Sequence, residues 1–436
     1  MAGTGGPRVL LVLGLARSGL AAARVAAAEG WRVLVTDDRA VVGEALPAGV
    51  AQVSMEKAHA ALKQVDLLVP SPGVPASHPL LAAAARAGVR VAPEIEFAAD
   101  RLGGTLLAVT GTNGKSTTVS LLGAILQAAC KTVFAGGNLG DPLCNAVGGG
   151  HEFVVAEVSS FQLEHATTFH PRVAAMLNLT PDHLDRHGDL EGYLAAKARL
   201  FACMGADDHA VLPEGEAWAD RVAAGTRARV HRFAVGDAAR SRVLRFEGRE
   251  VRLPADGWPQ LPHDLENAAA AVAVALLAGV PAPAIERGIA AFRPLRHRLA
   301  KVAEYGGVGW WNDSKATNVG AACSSLRAFE GRVVLLAGGI SKGCDFKALA
   351  SEQARITLCI AYGEAAAEIE AALAHAVRVV REPGLHAAVL RAAREAAPGD
   401  TVLLAPACAS FDEFRDYVDR GECFERWVRQ LAAGQD

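Results

Sequence analysis

Short apolar runs that stop at glycine-rich or polar turns, each followed by apolar residues at helical spacing, recur along the whole chain. Residues 8–13 form the first run; it stops at Gly14-Leu15-Ala16-Arg17-Ser18-Gly19, and a helical pattern begins at Leu20. Further runs of this kind are 31–36, 65–69, 105–109, 153–156, 173–177, 308–311, 333–337 and 401–404. Runs of four to six apolar residues bounded by Gly, Pro and polar side chains predict buried strands, and the intervening segments predict helices. Strands alternating with helices give an α/β fold with mainly parallel sheets. A chain of 436 residues is too long for one core. The pattern divides it into an N-terminal Rossmann-like domain at 1–93, a central phosphate-loop (P-loop) domain at 94–294 and a C-terminal Rossmann-like domain at 295–436, the last opening after the joint Phe292-Arg293-Pro294.

The ends of these runs carry the candidate chemistry. After 105–109 comes Thr110-Gly111-Thr112-Asn113-Gly114-Lys115-Ser116-Thr117, and then a helical pattern over 118–129. Strand, glycine turn and helix start together surround an anion with backbone N–H groups. Lys115 is then expected to reach terminal phosphates of ATP, and the Ser116 hydroxyl to ligate Mg²⁺. The usual phosphate-loop spacing wants a glycine where this chain has Val109, so the loop is a shortened one. Gly136-Gly137-Asn138 is a second glycine cluster that permits close approach to a ligand. Glu157, at the end of the 153–156 run, is placed to bind Mg²⁺. His183 is either a metal ligand or a hydrogen-bonded loop histidine. Lys197 lies on a helical segment, 193–201, whose Leu194, Leu200 and Phe201 face inward; a lysine there is ordinarily a solvated surface residue.

The glycine loop at 14–19 departs from a dinucleotide fingerprint at Ala16, with Asp37, Asp38 and Arg39 following about twenty residues on. It suits either NAD(P) or a uridine-type nucleotide. Ser71-Pro72-Gly73 is another strand-exit turn. In the last domain three strands end in loops with basic or hydroxyl residues: 312–318, 338–345 and 405–412.

Composition narrows the setting. Half of the residues are hydrophobic, 21% are charged and the formal net charge is −3. This excludes disorder and gives no general attraction to nucleic acid or anionic membranes. The eight scattered cysteines form no C-x-x-C pair and suit a reducing compartment. No stretch is apolar enough to span a bilayer, and the run at 9–16 is too short and leads into a helix. The expectation is a cytoplasmic protein without membrane insertion.

Taken together, Gly-Thr-Asn-Gly-Lys-Ser-Thr with its shortened spacing, Asn-Asp-Ser-Lys-Ala-Thr-Asn at 312–318, residues 157–164 and the turn at 71–73 resemble the ATP-dependent Mur ligases of peptidoglycan precursor synthesis, almost end to end. The resemblance implies an amide-forming ligase that uses ATP and Mg²⁺, with UDP-N-acetylmuramoyl-L-alanine and D-glutamate as substrates, acting as a monomer. It implies that Gly14, Leu15, Ala16, Arg17, Ser18, Asp37, Asp38, Arg39, Ser71, Asn138 and His183 hold the UDP substrate. Gly111 to Thr117 with Asn267, His297, Arg298 and Asp313 would bind ATP. Lys115, Glu157, His183 and Lys197 would be catalytic, with Ser116, Glu157, His183 and a carbamylated Lys197 on the metal side. Lys315, Thr317, Lys342, Ser410 and Phe411 would receive D-glutamate. Asp264, Asp38 and Tyr417 depart from the pattern, which wants an Asn, a hydroxyl and a Phe there. Other amide-forming relatives such as folylpolyglutamate synthase, an NAD(P)-dependent oxidoreductase and a non-catalytic nucleotide-binding regulator are the alternatives.

Overall fold

The computed structural model describes residues 7–38, 46–138, 140–341 and 345–434. They fall into two compact units: 1–179 with 194–260 and 264–292, and 180–193 with 261–263 and 293–436.

The first unit holds two parallel sheets. Strands β1 (Val9–Leu13), β2 (Arg32–Thr36), β3 (Val50–Gln52), β4 (Leu67–Pro70) and β5 (Arg90–Val91) pair in the order β3-β2-β1-β4-β5. Strands β6 (Thr105–Thr110), β7 (Val133–Gly137), β8 (Phe153–Glu157), β9 (Val173–Met176), β10 (His209–Pro213) and β11 (Arg229–Phe233) pair in the order β11-β10-β9-β6-β8-β7. An antiparallel hairpin, β12 (Val243–Phe246) and β13 (Arg249–Arg252), stands apart. In both sheets the order reverses beside the first strand, β1 or β6. Open parallel sheets bind ligands outside the carboxyl ends of the strands at such a reversal.

Burial explains why these runs are strands. β1 is buried at every position, as expected of a parallel strand covered on both faces. One apolar cluster joins the two sheets of this unit, running from Leu10 and Val12 through Ile95 and Phe97 to Leu106, Val154 and Ala174. A second lies on the other face of the central sheet, between Val109, Val155, Ala175 and the helices Lys115–Ala128 and Pro262–Leu277. The helix Lys115–Ala128 also meets the helix Ala282–Ala291, where a Cβ on Gly288 would lie 2.5 Å from the Ile125 Cα. The phosphate-loop helix is thereby fixed by packing, with Val119, Leu122, Ile125 and Leu126 fully buried at about 1.5–3 kcal/mol per side chain.

The second unit contains β14 (Ala300–Tyr305), β15 (Val308–Asn312), β16 (Val333–Gly338), β17 (Ile356–Tyr362), β18 (Val379–Glu382) and β19 (Thr401–Ala407) in the order β14-β15-β19-β16-β17-β18. Only β14 is antiparallel to its neighbour. The segment 180–193 belongs to this unit. The expected α/β class and parallel sheets are present, and the expected strands match β1, β2, β4, β6, β8, β9, β15, β16 and β19 apart from shifts at their ends. The other strands were not expected: β11, β13, β14 and β18 lack a continuous apolar run, whereas β10 and β17 carry one.

Candidate active site

The phosphate loop leaves β6 at its carboxyl end and enters the helix Lys115–Ala128 through Gly114, whose φ is +82°. That angle alone favours glycine. A Cβ there would also sit 2.0 Å from the Asn267 Oδ1, so Gly114 lets Asn267 lean directly on the loop. The Lys115 ammonium donates to the carbonyls of Gly111 at 2.8 Å and Thr112 at 2.7 Å. Asn178, just past β9, shapes the turn from the other side. Its Oδ1 accepts from the Asn113 N–H at 2.8 Å, its carbonyl from the Thr112 N–H at 3.1 Å, and its Nδ2 donates to the Asn113 carbonyl at 3.2 Å. The sequence offered one sign of Asn178: it is the first polar residue after the apolar run at 173–177.

Glu157 is the last residue of β8 and pairs in register with Val109 of β6, which sets its carboxylate beside the loop. It is buried, its Oε1 accepts from the Asn138 Nδ2 at 2.7 Å, and its buried Oε2 has no partner among the described residues. An uncompensated carboxylate oxygen beside a phosphate loop fits a cation. Among the described residues no three His, Cys, Asp or Glu side chains form a cage. A single carboxylate and the buried Ser116 hydroxyl suit Mg²⁺, which takes few protein ligands and completes its shell with phosphate and water. Asn138 is itself held by its N–H on the Glu157 carbonyl, and a Cβ on Gly137 would lie 2.5 Å from that carbonyl.

Lys197 overturns the ordinary reading of a lysine on a helix. It is 1% exposed, and its ammonium donates to the Gly111 carbonyl at 2.8 Å. The cause was present in the spacing: Lys197 follows Leu194 by three residues and precedes Leu200 by three, so it shares their buried face.

At the reversal of the N-terminal sheet, Gly14 has φ +94° and a Cβ on it would lie 2.8 Å from the Ser71 Cβ. The Ser71 hydroxyl donates to the Gly14 carbonyl at 2.8 Å, and the Leu15 N–H donates to the Asp37 carboxylate at 2.7 Å. The structure thus brings Gly14, Leu15, Asp37 and Ser71 together, with Ala16, Arg17 and Ser18 opening the helix Arg17–Ala28. The departure at Asp38 is matched by His78. The His78 Nδ1 accepts from the Leu80 N–H, so its Nε2 carries the hydrogen and donates to Asp38 at 3.2 Å. Arg39 lies outside the described residues, as does Lys342. Asp264, the third departure, sits in the first turn of the helix Pro262–Leu277 and accepts from the Gln260 N–H at 3.4 Å.

In the second unit the loops after β15, β16 and β19 converge. His297, with φ +60°, is buried; its Nδ1 lies 2.9 Å from the Asn312 Nδ2 and 3.2 Å from the Glu425 Oε1. Its Nε2 is buried and has no hydrogen-bond partner among the described residues. Burial holds this imidazole below its usual range, so it is neutral at pH 7. Burial also raises the Asp313 carboxyl, opposed by the hydrogen bond from Ser325 and by the charges of Arg298 and His263. The Lys315 ammonium lies 4.0 Å from the centre of the Tyr417 ring, so a tyrosine in place of Phe keeps an aromatic face for the cation. Thr317 sits beside Lys315, its N–H donating to the Lys315 carbonyl at 2.8 Å; Ser410 is buried, and Phe411 is 69% exposed.

Sequence reasoning missed Arg420. It is wholly buried, and its guanidinium donates to the Ser314 hydroxyl at 3.0 Å, the Ser314 carbonyl at 2.9 Å and the Cys408 carbonyl at 3.1 Å. Longer contacts reach the carbonyls of Ala409 at 3.4 Å and Gly338 at 3.5 Å. One side chain therefore ties together the exits of β15, β16 and β19. An arginine on a mixed-polarity helix such as Tyr417–Ala432 gives no sign of this in the sequence.

His183 belongs to the second unit, in the segment 180–193, whereas Lys115, Glu157 and Lys197 belong to the first. It has φ +56°, and its N–H donates to the Asp182 Oδ1 at 3.0 Å.

Comparison with known proteins covers the whole of this architecture. Three family models match: the Mur ligase MurD-like N-terminal domain at 8–93, the Mur ligase middle domain at 109–275 and the Mur ligase glutamate ligase domain at 297–408. The UDP-N-acetylmuramoylalanine–D-glutamate ligase of Acidobacterium capsulatum is 42% identical over 451 residues, covering 98% of each chain. The enzyme of the same name from Anaeromyxobacter dehalogenans is 44% identical over 460 residues, again covering 98% of each. Among solved structures, a pseudomurein peptide ligase type C from Methanothermus fervidus shares the fold, with TM-score 0.61 and 16% identity over 97% of this chain and 100% of that one.

Proposed function

This chain belongs to the Mur ligase family, and from that premise we infer that it is an ATP-dependent ligase joining D-glutamate to UDP-N-acetylmuramoyl-L-alanine through an acyl phosphate. The products are UDP-N-acetylmuramoyl-L-alanyl-D-glutamate, ADP and phosphate, in peptidoglycan precursor synthesis. The observation that carries this reading is the end-to-end identity to D-glutamate ligases, together with a phosphate loop flanked by Glu157 and Lys197.

The residues divide the work as follows. Gly14, Leu15, Ala16, Arg17, Ser18, Asp37, Asp38, Arg39 and Ser71 hold the uridine nucleotide at the sheet reversal, and Asn138 stands on the side of the sugar and its lactyl group. Gly111 to Thr117 cradle the ATP phosphates with their N–H groups, while Asn267, His297, Arg298 and Asp313 frame the adenosine. A carboxylate is a poor electrophile, so one of its oxygens first attacks the γ-phosphorus and ADP leaves. Lys115 neutralises charge between the two anions during that transfer. Ser116, Glu157 and His183, with Lys197 as a carbamate, would hold Mg²⁺, which supplies further charge neutralisation when bound. Lys315, Thr317, Lys342, Ser410 and Phe411 receive D-glutamate, a lysine being suited to its side-chain carboxylate. Its amine attacks the acyl carbon, and phosphate departs with the oxygen it gained. We assign 1–93, 94–294 and 295–436 to the three steps of substrate, ATP and amino-acid binding, since each range contains one principal sheet. Among the described residues no helix is long and apolar enough to cross a membrane; a cytoplasmic monomer is the setting we propose.

The test is phosphate release with ATP and UDP-N-acetylmuramoyl-L-alanine on addition of D-glutamate, L-glutamate or other amino acids. D-glutamate alone should support turnover; equal turnover with L-glutamate, or none with D-glutamate, would overturn the assignment.

A further inference from the structure

Asn318 closes the motif at 312–318, directly after Thr317, and its amide works in two directions. Its Oδ1 accepts from the Ala321 N–H at 2.8 Å, capping the helix Val319–Leu326. Its Nδ2 donates to the Asp182 Oδ2 at 2.9 Å. The other Asp182 oxygen accepts from the His183 N–H at 3.0 Å. Asn318 and Asp182 are both buried, 4% and 5% exposed, where a hydrogen bond is strong and its loss is costly. The two segments also touch beside this pair, since a Cβ on Gly320 would lie 3.0 Å from the Thr180 Oγ1.

His183 has φ +56°, in the left-handed region that a residue with a Cβ adopts only when its surroundings hold it there. The direction of its imidazole follows from that angle. Asp182 holds the His183 backbone, Asn318 holds Asp182, and the other end of the Asn318 amide is fixed to the helix that follows the amino-acid loop. We propose that Asp182 and Asn318 are positioning residues that make the placement of His183 depend on the conformation of the 312–318 loop. Occupancy of the D-glutamate site is thereby read at the acyl-phosphate side of the reaction. The inference rests on the roles proposed above for His183 and for the 312–318 loop.

Hydrogen exchange and kinetics on the full chain test it together. The protein is held with UDP-N-acetylmuramoyl-L-alanine and a non-hydrolysable ATP analogue, with and without D-glutamate. In the wild type D-glutamate, by ordering the 312–318 loop, strengthens the Asn318–Asp182 hold and slows amide exchange over 182–188 by about tenfold, the scale of one buried hydrogen bond to a charged group. In Asn318→Ala that protection disappears and kcat falls by about tenfold, while KM for the UDP substrate is unchanged. Asn318→Asp sets two carboxylates face to face and is worse than the alanine variant. The exchange Asp182→Asn with Asn318→Asp reverses the donor and acceptor, so it restores both protection and kcat. If a wild-type protein that turns over shows no D-glutamate-dependent protection at 182–188, the coupling is absent. A double variant that melts like the wild type but is no more active than Asn318→Asp overturns it equally. A wild type that releases no phosphate on addition of D-glutamate sinks the proposed function instead.

Discussion

Lys115 and Lys197 donate to one atom: each ammonium lies 2.8 Å from the Gly111 carbonyl oxygen. Two like charges held on one acceptor, one of them on a buried side chain, disfavour each other. Converting Lys197 to a carbamate would replace that conflict with an attraction and add an anionic ligand next to the phosphate loop. Lys197→Ala is therefore expected to lower kcat by about a hundredfold or more. Formate or acetate should restore part of it by occupying the vacated volume. Absence of any rescue, in a variant that folds, argues against the carbamate.

Lys115→Ala and Glu157→Ala are each expected to reduce D-glutamate-dependent phosphate release by about a thousandfold. The two should differ in their response to metal. Glu157→Ala removes the carboxylate oxygen that lacks a partner among the described residues, so it should raise the Mg²⁺ concentration needed for half-maximal rate; Lys115→Ala should not. Near-normal turnover in either variant contradicts the role assigned to it.

Arg420 ties the exits of β15, β16 and β19 together from a wholly buried position. Arg420→Lys cannot reproduce a planar fork of donors, so several buried carbonyls lose partners. A loss of about 2–4 kcal/mol in unfolding free energy is expected, with a raised KM for D-glutamate and an unchanged KM for the UDP substrate. Denaturant unfolding and steady-state kinetics check both. An Arg420→Lys protein with wild-type stability would show that the guanidinium geometry is dispensable.

Glu94 gives the fold a pH dependence. It is buried in the helix Glu94–Ala99, its Oε1 accepts from the Cys144 N–H at 2.6 Å, and burial raises its carboxyl to about 7. A raised carboxyl pKa means the native state binds the proton more tightly than the unfolded chain does. Stability is then highest below about pH 4.5 for this group and falls as pH rises toward about 7, by about 3 kcal/mol in total. Glu94→Gln keeps the acceptor and removes the titration, so its melting temperature should fall less than the wild type's between pH 5 and about 8. Parallel profiles for the two proteins would contradict this.

How far the sequence could be read depended on whether a feature is local. The strand–loop–helix at 105–129 was legible because apolar run, glycines and helix spacing are contiguous, and the placement of Glu157 follows from β8 being the neighbour of β6. Residue type alone puts Lys197 on a solvated face; its spacing from Leu194 and Leu200 held the answer, and only the resemblance assigned it to the site. Arg420 and Asp182 were invisible because each holds a residue far along the chain; Arg420 and Ser314 are 106 positions apart. Weakly apolar strands such as β14, an edge strand half-open to solvent, were missed because they carry no continuous apolar run, whereas the apolar β10 and β17 were overlooked.

The central claim is that ATP is used to activate the substrate's carboxylate. UDP-N-acetylmuramoyl-L-alanine labelled with ¹⁸O in its terminal carboxylate tests this directly, with ATP and D-glutamate present and the released phosphate analysed by mass. An acyl phosphate requires that one labelled oxygen leave with each phosphate while the other stays in the new amide. Phosphate free of label, formed alongside the amide product, would contradict the account.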